Sequence, residues 1–169
     1  MNMNQPLKAG FSYRVEIVDK RTGQVRESEV IKNLMPVEGI DHLINVSMKQ
    51  GAQVAAWYIG LYEGNYTPAS DDVMATFPTA ATESTAYTPS TRPAFVPGAV
   101  SAGTVSNGAS RAEFTFTSAK TLYGGFMSSA SAKGSTSGIL LSAVRFSSPK
   151  VVGVDDVLRI TAGFTIASA

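Results

Sequence analysis

The chain has 169 residues and a formal net charge of +1, with 44% hydrophobic and 16% charged side chains and no cysteine. That length suits one domain with a real core. The near-zero charge removes any broad electrostatic case for nucleic acid or an anionic membrane, and the absence of cysteine excludes disulfides and thiolate metal sites.

The charged fraction lies well under the usual ~25%, which fits a surface partly hidden against other chains. It is also uneven, since 13 of the 27 charged residues fall in positions 1–50. Residues 1–10 are polar, contain no apolar signal core and read as a flexible arm of the kind that orders on a neighbour in assemblies. No run approaches the ~20 apolar residues of a membrane helix. The expectation is a soluble protein made in the cytoplasm without export.

Residues 11–169 read as a single β-rich domain. Phe11-Ser12-Tyr13-Arg14-Val15-Glu16-Ile17 alternates with the period of a half-buried strand. Lys20-Arg21-Thr22-Gly23 supplies a turn, and Gln24 to Lys32 returns as the second strand of an 11–32 hairpin. Arg26, Glu27 and Glu29 suit an edge strand protected from further pairing. Residues 36–50 predict the one helix, with Pro36 in its first turn and Gly51 to stop it. Val37, Ile40, Leu43, Ile44 and Met48 form a single apolar stripe on it.

Ala56-Trp57-Tyr58-Ile59-Gly60-Leu61-Tyr62 predicts a buried strand, with Trp57, Ile59 and Leu61 on the core face and Tyr58 and Tyr62 on the other. After it, Asn65 to Ser110 is a tract of Thr, Ala, Ser and Pro, far longer than the ~12–15 residues beyond which loops become uncommon. It nevertheless carries Tyr66, Met74, Phe77, Tyr87 and Phe95. A disordered linker has no need of such rings, so the tract reads as an ordered excursion anchored on the body or on a neighbour. Strands follow at Arg111 to Thr117, at Thr121 to Met127 with a bulge at Gly124-Gly125, at Ile139 to Phe146, and at Val157 to Ile166. Residues 128–138 read as a loop and Ser148-Pro149-Lys150 as a turn. Many short strands and one helix predict a mainly β, single-domain β-sandwich with a jelly-roll-like body.

Signs of chemistry are weak. His42 is the only histidine and sits beside the helical stripe, where a boundary role outweighs a catalytic one. Gly134-Ser135-Thr136-Ser137-Gly138 resembles a nucleophile elbow, but threonine takes the serine position. Asp71-Asp72 and Asp155-Asp156 are the only adjacent acid pairs, and neighbours on a strand face opposite ways. Asp72 is expected to cap a turn at Val73 to Ala75, and Asp155-Asp156 to form the turn before the last strand. No P-loop, dinucleotide fingerprint or EF-hand pattern occurs. Two glycosylation triplets, at Asn45 and Asn65, read as chance matches. The expectation is a protein that is not an enzyme and needs no cofactor or metal.

The helix is followed by "WYIGLYEGNYTPASDD", "YTPSTRPAF", "SNGASRAEFTFTSAKTLYGGFM", "GILLSAVRFSSP" and "VGVDDVLRITAGFTI". Over residues 36–168 this order of motifs resembles a family of small virion proteins of tailed bacteriophages, the capsid decoration or cement proteins. The resemblance implies a jelly-roll-like body on the outer capsid surface that clamps adjacent major capsid protein subunits. It also implies self-association as a homo-dimer or homo-trimer, with no nucleic acid or membrane partner. Phe77, Tyr87, Arg92, Phe95, Tyr58, Tyr62 and Tyr66 are the expected interaction residues. Two alternatives remain open: another phage structural part (tail tube, head–tail adaptor or fibre base), or a carbohydrate-binding β-sandwich using Tyr58, Tyr62 or Tyr66.

Overall fold

In the computed structural model, which describes residues 8–167, the alternating run at the start of the chain becomes strand β1 (Lys8–Asp19). Of the arm expected at 1–10, residues 1–7 lie outside the described residues. Lys8–Gly10 is a correction to that expectation, because these residues are strand, paired with Ala167, Ile166 and Thr165. The Asp19 side chain organises the turn. Its Oδ1 accepts from the backbone N–H groups of Arg21 (2.9 Å) and Thr22 (2.7 Å), which holds its carboxyl below the usual range. Gly23 takes φ +72°, a conformation that glycine adopts at no steric cost. Strand β2 (Val25–Lys32) returns antiparallel along β1.

The last strand, here β10 (Asp156–Ala167), pairs along the other side of β1 over its whole length. The register sets Phe11 opposite Phe164, Tyr13 opposite Ala162, Val15 opposite Ile160 and Ile17 opposite Leu158. Two period-two patterns thus coincide, and one face of the sheet is continuously apolar. Two short strands, β6 (Thr104–Ser106) and β7 (Ala112–Thr115), share the far edge of β10 and complete this first sheet. Its outer face is charged, with Arg111 paired to Glu16 and Arg159 to Glu113.

The second sheet is built on β3 (Trp57–Tyr62), β8 (Lys120–Ser128) and β9 (Leu140–Val152). Short strands β4 (Glu83–Ser84) and β5 (Ala94–Phe95) pair with opposite ends of the free edge of β3. The two sheets pack as a β-sandwich over one apolar cluster. Ile59, Leu61, Leu122, Met127 and Val144 from the second sheet meet the inner face of the first. Each fully buried residue of this kind contributes roughly 1.5–3 kcal/mol.

Gly124 marks the predicted bulge. The pairing of β8 with β9 shifts between Leu122 and Gly124, and a Cβ at Gly124 would lie 2.2 Å from the Tyr62 ring and 2.1 Å from the Val144 carbonyl. The turn expected at Ser148-Pro149-Lys150 is a correction: β9 runs through it to Val152. Leu122 pairs with Lys150 and Gly124 with Arg145, so residues 146–149 bow out opposite Tyr123 alone. Pro149 falls in that unpaired stretch, where a residue without an N–H breaks no ladder bond. At the open rim between the sheets, Glu27 and Glu29 of β2 point the same way as the core residues of β1 and pair with the buried Lys150.

The long excursion forms a third layer. Helix α2 (Phe77–Ala80) and its flanks cover the outer face of the second sheet. Met74, Phe77 and Ala81 form a second cluster there with Tyr62, Phe126, Leu140 and Ala143. Phe77 stacks edge-on against Tyr62, Tyr66 and Phe126 at centroid distances of 5.4–5.8 Å. Asp72 does not cap Val73 to Ala75 as expected. Its carboxylate accepts from the backbone N–H of Ala69 (2.7 Å) and the Tyr66 hydroxyl (2.5 Å), closing the preceding turn instead.

Candidate functional site

The structure moves most of the expected interaction residues inside the protein. Phe77, Tyr87, Arg92, Phe95 and Tyr62 are buried by this chain alone, and Tyr58 and Tyr66 are half-buried. This is a correction with a clear physical cause. Phe77 covers the outer face of the second sheet, which would otherwise be apolar and open to water, whereas Tyr87 and Phe95 close the main cluster between the two sheets. Tyr87 stacks edge-on against Phe114, and Phe95 pairs with Trp57 on the edge of β3.

Arg92 is the most constrained of the set, with its side chain 0% exposed. It donates twice to Glu83, Nε to Oε1 at 2.8 Å and Nη2 to Oε2 at 2.6 Å. It also donates to Ser128 Oγ and to the Ala130 and Ser135 carbonyls, and its guanidinium lies 5.1 Å from the centre of the Phe126 ring. Glu83 in turn accepts from the backbone N–H of Gly134. Every donor of this planar fork is used, and Arg92 ties the excursion to the loop after β8. The elbow-like segment Gly134 to Gly138 supplies backbone to this rivet. Sequence reasoning named Arg92 but missed Glu83, nine positions away.

The tyrosines proposed for sugar stacking do not form an open platform. Tyr62 donates to the Val144 carbonyl beneath the excursion. Tyr66 packs on Phe77 and donates to Asp72, which pushes its phenol up to about 12. His42 lies edge-on to Trp57, ring centres 5.5 Å apart. Among the described residues no group of three His, Cys, Asp or Glu side chains is placed to hold a metal ion.

The open apolar surface lies elsewhere, on helix α1 (Val37–Met48). Its expected stripe does not enter the core. Val37 is 52% exposed, Ile44 51% and Met48 80%, and Ile40 is exposed as well, while Leu43 alone packs partly against the main cluster. The helix touches the body through Gly39 instead. A Cβ there would fall 2.5 Å from the Leu141 carbonyl and 2.9 Å from that of Leu140. Glu38 clamps the same side, accepting from the backbone N–H groups of Met74 (2.9 Å) and Leu140 (2.6 Å). Sequence analysis missed both residues. A glycine inside a helix costs ~1 kcal/mol against alanine, and that cost was the available sign of a close approach.

Held this way, α1 and the ends of β1 and β10 enclose a groove of about 590 Å³. Ile40, Ile44 and Met48 form one wall, and Ala9, Phe164 and Ile166 the other. Among the described residues, no charged side chain lines it. Among its described lining residues the polar ones are Asn33 and Ser47, and Asn33 is occupied internally, accepting from the Phe11 N–H and donating to the Leu34 carbonyl. Contiguous apolar surface of this sort marks interaction sites, and the arrangement suits the binding of an apolar partner surface. In comparisons with known proteins, no family model matches the chain and no curated protein matches it.

Proposed function

We propose that the protein is a structural virion component of a tailed bacteriophage. In this reading it is a decoration protein that binds the outer capsid surface and clamps adjacent major capsid protein subunits. The resemblance over residues 36–168 motivates the reading. The observation that carries it furthest is the exposed, charge-free apolar face of α1 on a riveted β body. A clamp needs a rigid body and a contact surface that can be buried without stranding ions. Modest contacts then act together when repeated over a lattice.

The test is binding of the recombinant protein to mature shells of a candidate phage, with shell melting temperature as a second readout. Binding with raised heat resistance is the expected result, and failure to bind any shell would refute the reading. Copy number in whole virions separates it from the alternative of a tail or neck component. Occupancy of many equivalent lattice sites fits decoration, whereas a number matching one closed ring fits a neck or tail part.

A further inference from the structure

We propose that Lys150 of β9 and Glu29 of β2 form an intramolecular isopeptide bond, a side-chain amide that joins the two sheets at their open rim. The Lys150 side chain is only 3% exposed, and lysine is almost never buried unless it is paired. Its backbone pairs with Leu122, and Glu29 and Glu27 stand opposite Val15 and Ile17. Those three apolar neighbours belong to the main core cluster, so the amine and the carboxylates meet at the edge of the core rather than in bulk water. One ammonium faces two carboxylates, and the two are bound differently. Glu27 accepts a hydrogen bond from Nζ. Glu29 Oε1 lies 3.2 Å from Nζ, yet it is buried and accepts no hydrogen bond among the described residues. The bowed stretch of β9 supplies two hydroxyls. Ser147 donates to Glu29 Oε2, and Ser148 Oγ accepts from Nζ at 3.3 Å.

These placements divide the roles. Glu29, 15% exposed, is the acyl group, and Ser147 stabilises the negative charge that develops on its Oε2. Glu27, 44% exposed, carries protons. The Lys150 nitrogen adds to Cδ of Glu29, and two of its protons pass through Glu27 to Oε1. The Cδ–Oε1 bond breaks and that oxygen leaves as water. An ammonium and a carboxylate thus become one neutral amide and one water, Glu27 ends unchanged, and no oxidant, metal or cofactor takes part. Burial works against the ammonium, but hydrogen bonds and charge from Glu27 and Glu29 hold it above the ordinary lysine value. The neutral amine is therefore a minor species and the step is slow. One turnover per molecule is enough, and an amine and a carboxyl held in contact react with a high effective molarity. The link does for a cysteine-free chain what a disulfide across a long loop does, restricting the unfolded state. It stands independently of any partner the protein binds.

Intact mass spectrometry of the purified full chain, incubated in the folded state and then denatured, tests the bond. The expected mass is that of the sequence less one water. Trypsin does not cut after an acylated lysine, so the digest should contain Glu27–Lys32 joined to Phe146–Arg159, and fragmentation should place the link on Glu29. Lys150→Arg keeps the cation and its pairing, so circular dichroism should show it folded, but its mass should be that of its sequence. Glu27→Gln keeps the Lys150–Glu29 pair and should form the link about 100-fold or more slowly. A parent chain that holds its full mass after prolonged incubation would overturn the proposal. So would a water loss that persists in Lys150→Arg, a link that maps to Glu27, or linking at the parental rate in Glu27→Gln.

Discussion

Replacing Arg92 decides whether the excursion is a structural layer or a contact arm. Arg92→Met keeps much of the side-chain volume but removes the cation, leaving Glu83 buried with only the Gly134 N–H as a donor. Removing one partner of a buried ion pair costs about 3–5 kcal/mol, because the other charge is stranded. At about 2–4 °C per kcal/mol for a chain of this size, the melting temperature should fall by roughly 6–20 °C. A typical domain has only about 5–15 kcal/mol of stability, so the variant should fold but be marginal. Urea unfolding followed by the fluorescence of Trp57, the only tryptophan, reads this as a lower midpoint at unchanged slope. The double variant Glu83→Gln/Arg92→Met should recover part of the loss, since no bare charge remains. A midpoint within about 0.5 kcal/mol of the parent, combined with loss of shell binding, would refute the reasoning and restore Arg92 as a surface contact.

Further outcomes follow from the same packing. Deleting Thr79 to Pro89 removes Ala81, Glu83 and Tyr87 together and should abolish the cooperative melt seen by circular dichroism; a protein that melts normally would show the excursion to be dispensable. Gly124→Ala should cost about 1–3 kcal/mol or more as an overpacked site, because Tyr62 and the Val144 carbonyl occupy the space. Gly10→Ala, with nothing within 4 Å, should melt like the parent and serves as its control. The Tyr66 phenol is raised from 10.0 to about 12, first by its hydrogen bond to Asp72. A raised folded value means that its contribution is fully present below pH ~10 and is lost as pH climbs toward ~12. Ultraviolet titration should show Asp72→Asn bringing this ionisation down, and an unchanged curve would count against the Tyr66–Asp72 bond.

What the sequence disclosed depended on whether a pattern was set by one strand or by several. The alternations of Phe11 to Ile17 and of Leu158 to Ile166 are local, and they specify paired strands because each has one apolar face to hide. The hairpin turn at Lys20 to Gly23 and the bulge at Gly124 were legible for the same reason, since a few residues impose the backbone there. Pro149 misled because proline reads as a turn, whereas a bowed strand accommodates it equally well. The rings at Phe77, Tyr87 and Phe95 announced order in the excursion but not its direction. Nothing local distinguishes an aromatic that covers its own sheet from one that covers a neighbour's. Arg92 was legible as special and wrongly placed, because its partner Glu83 becomes adjacent only once the excursion folds back.

Helix α1 carries the reverse lesson, and it bears most directly on function. Its stripe of Val37, Ile40, Leu43, Ile44 and Met48 has the spacing that normally faces a core, yet the backbone at Gly39 and the carboxylate of Glu38 fix the helix by a different side. Periodicity reports that a face wants cover and says nothing about what supplies it. When the body declines to cover such a face, the unused apolar area becomes available for association. The protein holds that face rigid, since Glu38 bonds at once to the excursion and to β9. A surface so held loses little conformational freedom on binding, and a preorganised contact of modest area keeps more of its gross interaction as affinity. Glu38→Gln therefore tests more than stability. It weakens the clamp while leaving the stripe intact, so binding to shells should fall even where the melt shows the β body still folded.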